Sequence, residues 1–223
     1  MKINDRLKLV GDYVDKGSIP LDIGCDHAKL SIYLLKEKNF PFVYASDNKI
    51  GPLNQAKENV NYYNLADKIE LIKADGLNSL NDKIDTITVT GMGGLTINKM
   101  FLENKNKLTN IKTIILSPNN FIKEVRETIN MLGYYLKDEE LVEESNKLYH
   151  ILVFSKGNKT YSDKELYLGP ILMTKNNEII KKFYKSELTN INNLLLNNKI
   201  SIDKKEKLIR IKEYLKSLNE NNY

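Results

Sequence analysis

The sequence predicts an α/β fold: a mostly parallel sheet covered by helices, closed at one edge by an antiparallel hairpin and followed by a helical extension. Three observations carry that prediction. Apolar, β-branched runs alternate with segments of helical spacing as far as residue 132, the pattern of a parallel sheet buried on both faces. Two further strand-like runs then follow each other with no helix between them, so they must pair antiparallel. From about Tyr161 the composition turns to Lys, Asn, Glu and Leu.

The elements can be justified in order. Ile3, Leu7, Val10 and Val14 stand at helical spacing, a short amphipathic helix leading into the first strand. Strands are expected at "SIPLDIG", "PFVYASD", "KIELIKAD", "IDTITVTG" and "KTIILSP", and helices near residues 28–38, 52–64, 94–106 and 121–132. "GYYLKDEELVEESNKLYHILVFSKG" reads as two strands joined by an acidic, polar turn. Beyond it, Ile180, Tyr184, Leu188, Ile191 and Leu195 form one narrow helical seam, and Leu208, Ile211, Leu215 and Leu218 a second. The short polar loop "NNKISID" between the seams makes them antiparallel neighbours, a coiled-coil hairpin. The expected division is residues 1–160 for the α/β domain and 161–223 for the helical extension. The extension either packs for stability alone or holds a large substrate.

Composition bounds the function. A chain of 223 residues with 41% hydrophobic content buries one good core and leaves material for an appended unit. The net charge of +5 favours an acidic partner such as nucleic acid. Arginine occurs only as Arg6, Arg126 and Arg210, so the lysine runs read equally well as solvated surface or as an RNA-facing patch. Cys25 is the single cysteine, which excludes an internal disulfide and fits a reducing compartment. His27 and His150 lie far apart and no paired-cysteine spacing exists, so no metal is expected. The amino-terminal "MKINDRLKLVGDYVDKG" lacks an apolar signal core, and no run approaches the roughly 18 apolar residues of a membrane span. A cytoplasmic protein without membrane contact, acting as a monomer, is the expectation.

Chemistry-bearing residues collect at the strand ends, where open α/β sheets bind ligands. In order these are Asp22, Gly24 and Cys25, then Asp47-Asn48, then Asp75-Gly76, then "GMGG" from Gly91 through Met92 and Gly93 to Gly94, then "SPNN" from Ser117 to Asn120. Gly24 lets a ligand approach the backbone closely. Asp47 lies where an acid after the second strand accepts from ribose hydroxyls, and Asp75 can accept from an exocyclic amine. S-adenosylmethionine offers a ribose, an adenine and an ammonium group to these carboxylates. It also lacks the pyrophosphate that the two missing glycines of G-x-G-x-x-G would serve. Taken singly, each motif is better explained as a tight turn or a helix cap; their joint occurrence at five successive strand ends reverses that balance.

"DIGCDHAKL", "GPLNQAKENV", "ADGL", "TGMGG" and "SPNNFIKEVR", in that order and ahead of a helical tail, resemble the TrmK family of bacterial tRNA (adenine-22-N1) methyltransferases. The similarity runs from about Asp5 to Phe154. It implies a Rossmann-like class I methyltransferase domain, five alternating strands and then a hairpin, with S-adenosylmethionine as methyl donor and tRNA as substrate. Where that family often shows a tyrosine this chain has Lys29, which brings a phosphate contact into consideration, and Ser117 replaces a frequent glutamine.

On that resemblance Asp26 stabilises the cationic product base, His27 orients Asp26 or contacts RNA, and Asn119 binds the base edge. Asp26 as a cap for the helix beginning near Ala28, and His27 bonded to a backbone carbonyl, are the structural alternatives. Arg6, Lys8, Lys29, Lys123 and Arg126, with lysines of the helical hairpin, are candidates for the RNA-binding surface. A non-catalytic RNA-binding protein of this fold, and a methyltransferase for a protein or small molecule, are the competing functions. A nicotinamide oxidoreductase ranks last because the pyrophosphate loop is missing.

Overall fold

The computed structural model describes residues 3–197 and 200–220. The chain divides into two compact units, residues 1–159 and 160–223. In the first, α1 (Asp5–Asp12) starts at Asn4, whose side chain accepts from the Leu7 N–H at 2.9 Å, closing one of the open donors of the first turn. There follow β1 (Pro20–Ile23), α2 (Lys29–Lys36), β2 (Val43–Asp47), α3 (Ile50–Tyr62), β3 (Ile69–Lys73), β4 (Thr86–Thr90), α4 (Gly94–Glu103), β5 (Thr113–Ser117), α5 (Ile122–Met131), β6 (Tyr134–Glu144) and β7 (Lys147–Lys156).

These seven strands form one sheet in the order β3-β2-β1-β4-β5-β7-β6. The first five in chain order are parallel, and β7 runs antiparallel to both β5 and β6. Every residue of β1 and β5 is buried, which explains why they read as continuous apolar runs. Val10, Leu30, Leu34, Ala45, Ala56, Val60, Ile115 and Ile151 belong to one core cluster that joins helices to sheet. The chain builds outward from β1 to β3 and then returns to lay β4 on the other side of β1. That reversal opens a crevice beyond the carboxyl ends of β1 and β4, the usual ligand position in such sheets.

The acidic stretch expected as a turn is strand: Asp138 to Glu144 lie in β6, and Ser145-Asn146 alone make the turn, both at positive φ. The misreading has a physical reason. Glu139 faces inward with no exposure and pairs with Arg126 of α5, Nε to Oε2 at 3.0 Å and a second guanidinium nitrogen at 2.8 Å. Arg126, expected on an RNA-facing surface, is only 2% exposed and is therefore structural. His150 on β7 is buried beside this pair, and burial, followed by the charge of Arg126, lowers its pKa to about 3.

The second unit holds α6 (Asp163–Leu168), α7 (Glu178–Leu195) and α8 (Ile202–Glu220). Ser162 and Glu165 cap α6 reciprocally, the Ser162 hydroxyl accepting from the Glu165 N–H and the Glu165 carboxylate accepting from the Ser162 N–H. The two expected seams meet through Ile191, Leu208, Ile211, Leu215 and Leu218, while Leu168 of α6 adds a third helix to their cluster. The anticipated loop falls partly on residues 198–199, outside the described residues. Among the described residues no helix is long and apolar enough to cross a membrane.

Candidate active site

The site is built on the β1–α2 junction. After Ile23 the chain turns through Gly24 (φ 71), Asp26 (φ 49) and Ala28 (φ 55), three left-handed residues within five positions. Only Gly24 adopts this conformation without a Cβ penalty, and a Cβ on it would meet the Met92 methyl at 2.9 Å. The surroundings hold the loop in place. The N–H groups of Gly24 and Cys25 both donate to the Ser46 carbonyl, at 2.8 and 2.9 Å, and Asn59 Nδ2 donates to the His27 carbonyl at 3.0 Å. Non-glycine strain of this kind persists where the structure around it over-determines the backbone.

Asp22 lies beneath the loop, 3% exposed, accepting from the hydroxyls of Ser31 (3.1 Å) and Thr88 (3.2 Å). Burial outweighs those two bonds and raises its pKa to about 6. Cys25 is also buried, which pushes its thiol well above the ordinary range, and the carboxylates of Asp22 and Asp47 push it further.

A cleft of about 530 Å³ opens at the strand ends, lined by Gly24, Asp26, Asp47, Asn48, Asp75, Gly76 and Met92, together with Lys49, Pro52, Thr96, Lys99 and Met100. Its volume falls within the range of small-molecule sites. Asp47 receives the Lys49 N–H on Oδ1 at 2.9 Å and the Asp26 N–H on Oδ2 at 3.4 Å; Asn48 Nδ2 donates to Asp75 Oδ1 at 3.2 Å. Each carboxylate keeps acceptor capacity beyond these bonds. Acceptors at the ends of β1, β2 and β3 suit a ligand carrying a diol, an amine and an ammonium group.

A second pocket of about 180 Å³ is lined by Arg6, Asp22, Gly24, Cys25, Asp26, His27, Lys29 and Gly91. Gly24 and Asp26 line both cavities. Asp26 Oδ2 lies 3.4 Å from His27 Nε2, and the Asp26 side chain is 65% exposed. The capping alternative is excluded: Ala28 is the N-cap of α2, and no side chain closes that first turn.

The β4–α4 and β5–α5 turns form the facing wall. Asn119 donates its N–H to the Met92 carbonyl at 2.9 Å and Nδ2 to the Gly91 carbonyl at 2.6 Å; Asn120 Oδ1 accepts from the Gly94 N–H at 2.9 Å. Asn119 and Gly93 thus brace this wall and line neither cavity. Asp22 beneath the loop and Cys25 within it, both expected against the cofactor, line only the smaller pocket. Arg6, expected to contact RNA from an open surface, is 8% exposed: Nε donates to the Ser117 hydroxyl at 2.8 Å, another guanidinium nitrogen donates to the Ser117 carbonyl at 2.6 Å, and the group stacks 4.2 Å from the Tyr149 ring centre. Lys29 is exposed, Lys8 pairs with Asp5 at 3.0 Å, and Lys123 is half-buried in the first turn of α5. Ser46 and Asn59, and Lys49, Thr96, Lys99 and Met100 of the cleft wall, are positions that sequence reading passed over; Asn120 was singled out only as the last residue of "SPNN".

Comparison with known proteins fits this geometry. The family model of TrmK, tRNA (adenine(22)-N(1))-methyltransferase, matches residues 20–221. The Bacillus subtilis tRNA (adenine(22)-N(1))-methyltransferase is 31% identical over 84% of this chain and 82% of its own. Among solved structures, Streptococcus pneumoniae Sp1610 in complex with S-adenosyl-L-methionine superposes with a TM-score of 0.89 at 29% identity, covering 97% of this chain and 99% of that one. M. capricolum TrmK in complex with S-adenosyl-homocysteine superposes with a TM-score of 0.85 at 26% identity, covering 98% and 99%. With the crevice at the β1/β4 reversal, the acid-lined cleft and a match over most of its length, this chain belongs to the TrmK family of tRNA (adenine(22)-N(1))-methyltransferases.

Proposed function

We propose that the protein methylates N1 of adenine 22 in tRNA, with S-adenosylmethionine held in the larger cleft and the target base in the smaller pocket. The observation that carries this reading is Asp26, an exposed acidic residue that lines both cavities. S-adenosylmethionine, when bound, supplies an electrophilic methyl on a sulfonium. Asp47 serves as the ribose acceptor, Asp75 with Asn48 as the adenine-side contact, and Gly24 keeps the backbone low enough for close approach.

Adenine N1 carries an in-plane lone pair, so no proton has to leave it before attack. The work left to the chain is alignment and charge. The product base is a cation as formed, and the Asp26 carboxylate stabilises that charge and accepts from the exocyclic amine. His27 orients Asp26 from 3.4 Å. Asn119 acts through the backbone, fixing Gly91 and Met92. The α/β unit is the catalytic domain and the helical unit assists tRNA binding. A tRNA substrate supports a cytoplasmic location.

The test is labelled-methyl transfer to two unmodified transcripts, one with adenine and one with guanine at position 22. Methylation of the adenine transcript alone is expected. Asp26→Asn should lower kcat by about 10²- to 10³-fold, with the thermal midpoint unchanged because the side chain is exposed and caps nothing. Near-normal turnover in that variant would remove Asp26 from the chemistry.

A further inference from the structure

Phe121 is held in a conformation that its own packing does not explain. It is the N-cap of α5 at φ 55, ψ 44, and its side chain makes no capping bond. The non-glycine residues at positive φ among the described residues are Asp26, Ala28, Asn39, Asn64, Phe121, Ser145 and Asn146. Phe121 is the one bulky side chain in that set. Asn and Asp tolerate the left-handed region through local hydrogen bonds, whereas a large side chain there is an outlier. The strain is not offset by full burial either, since Phe121 is 46% exposed.

Its position gives the strain a use. Gly94 at the start of α4 is buried, and a Cβ on it would meet the Phe121 Cβ at 2.9 Å. The β5–α5 turn is therefore pressed onto the β4–α4 turn, whose Met92 lines the cleft. Asn120, one residue before Phe121, is tied to the Gly94 N–H at 2.9 Å. Leu95, next along from Gly94, is 55% exposed. A partly exposed aromatic residue, lining neither cavity, thus stands next to the β4–α4 turn that carries Met92, on backbone pinned from two directions.

We propose that Phe121 is a stacking platform for the RNA nucleobase flanking the target adenine. The inference rests on the tRNA methyltransferase reading above. An adenine methylated at N1 must leave its stack to present that edge, and its neighbour loses a stacking partner. Proteins that bind unstacked RNA replace that partner with an aromatic face. The backbone strain keeps the ring out of the core and available to the base.

The experiment measures KM for tRNA, kcat and S-adenosylmethionine affinity in Phe121→Ala, Phe121→Tyr and Phe121→Asn. The Ala variant should raise KM for tRNA on the order of 5- to 150-fold, with kcat at saturating tRNA and cofactor affinity preserved; Tyr should restore wild-type values. Asn accepts the left-handed backbone, so that variant should have a higher thermal midpoint and the same raised KM as Ala. A transcript abasic on either side of the target should lose its sensitivity to Phe121→Ala on the stacked side. Wild-type KM in both the Ala and Asn variants would overturn the platform alone. A wild-type protein that methylates no adenine-22 transcript would overturn the functional reading and the platform with it.

Discussion

Two regions of the first unit bury charge and hold non-glycine residues at positive φ: the β6–β7 hairpin and the β1–α2 junction. In the hairpin the charges meet. Arg126 and Glu139 pair at 2.8 to 3.0 Å with almost no exposure, and the left-handed residues Ser145 and Asn146 sit in a two-residue turn where that conformation matches the strand twist. At the junction they do not meet. Asp22 is buried with two hydroxyl donors and no cation, and the left-handed residues Asp26 and Ala28 lie in a loop that borders two cavities. The hairpin's charge and strain serve its own fold, whereas those of the junction prepare a surface for something else.

The largest expected effect breaks the hairpin side of this comparison. Arg126→Met removes the cation paired with the buried Glu139 and should cost about 3–5 kcal/mol in urea unfolding. Arg126→Met/Glu139→Leu should recover most of it, and both proteins, where folded, should bind tRNA as the wild type does. Loss of tRNA binding in the stable double variant would return Arg126 to the RNA surface.

Asp22→Asn sharpens the junction side. The native pKa of about 6 lies above the ordinary value of 3.8, so the native state holds the proton more tightly. Stability attributable to Asp22 is therefore highest below about pH 4, falls between pH 4 and 6, and stays low above that. The Asp22→Asn variant should be more stable than wild type by up to about 3 kcal/mol at pH 7 and show no gain at pH 4. His150 has the opposite sign: its pKa, depressed to about 3, withdraws stability as pH falls below the ordinary histidine range. An Asp22→Asn protein with the same pH profile as wild type would show that the buried carboxyl is not the source. The smallest effect belongs to the turn. Ser145→Asn/Asn146→Gly supplies the preferred pair for a two-residue hairpin and should add about 1 kcal/mol with turnover unchanged; a change in turnover would make the hairpin part of the site.

Sequence periodicity was enough to read the five parallel strands, their helices and the hairpin, because each depends on neighbours within a few residues. It was enough to bring Asp47, Asp75 and Gly24 to one cleft as well, because strand ends converge in any open α/β sheet. Arg6 shows where that reasoning stops. Its burial depends on Ser117, 111 positions away, and no local pattern distinguishes it from a surface cation. Arg126 and Glu139 failed the same way: charged residues read as solvated until a distant partner brings them inside. The short helix α6 was legible in principle, since Ser162 and Glu165 spell a capping box, but six residues are too few to show a period.

The burial of Cys25 gives the junction a built-in clock. It is the chain's single cysteine, its N–H is tied to Ser46, and its thiol is held in the unreactive protonated form by burial and by the charges of Asp22 and Asp47. A thiol reagent therefore reacts slowly with the folded protein, where Cys25 is 6% exposed at the edge of the smaller pocket, and faster when the loop of Gly24 to Ala28 lifts away from the sheet. The modification rate of the unaltered protein therefore reports on the loop at one known atom, and a ligand that covers Gly24 and Asp26, which line both cavities, should slow it.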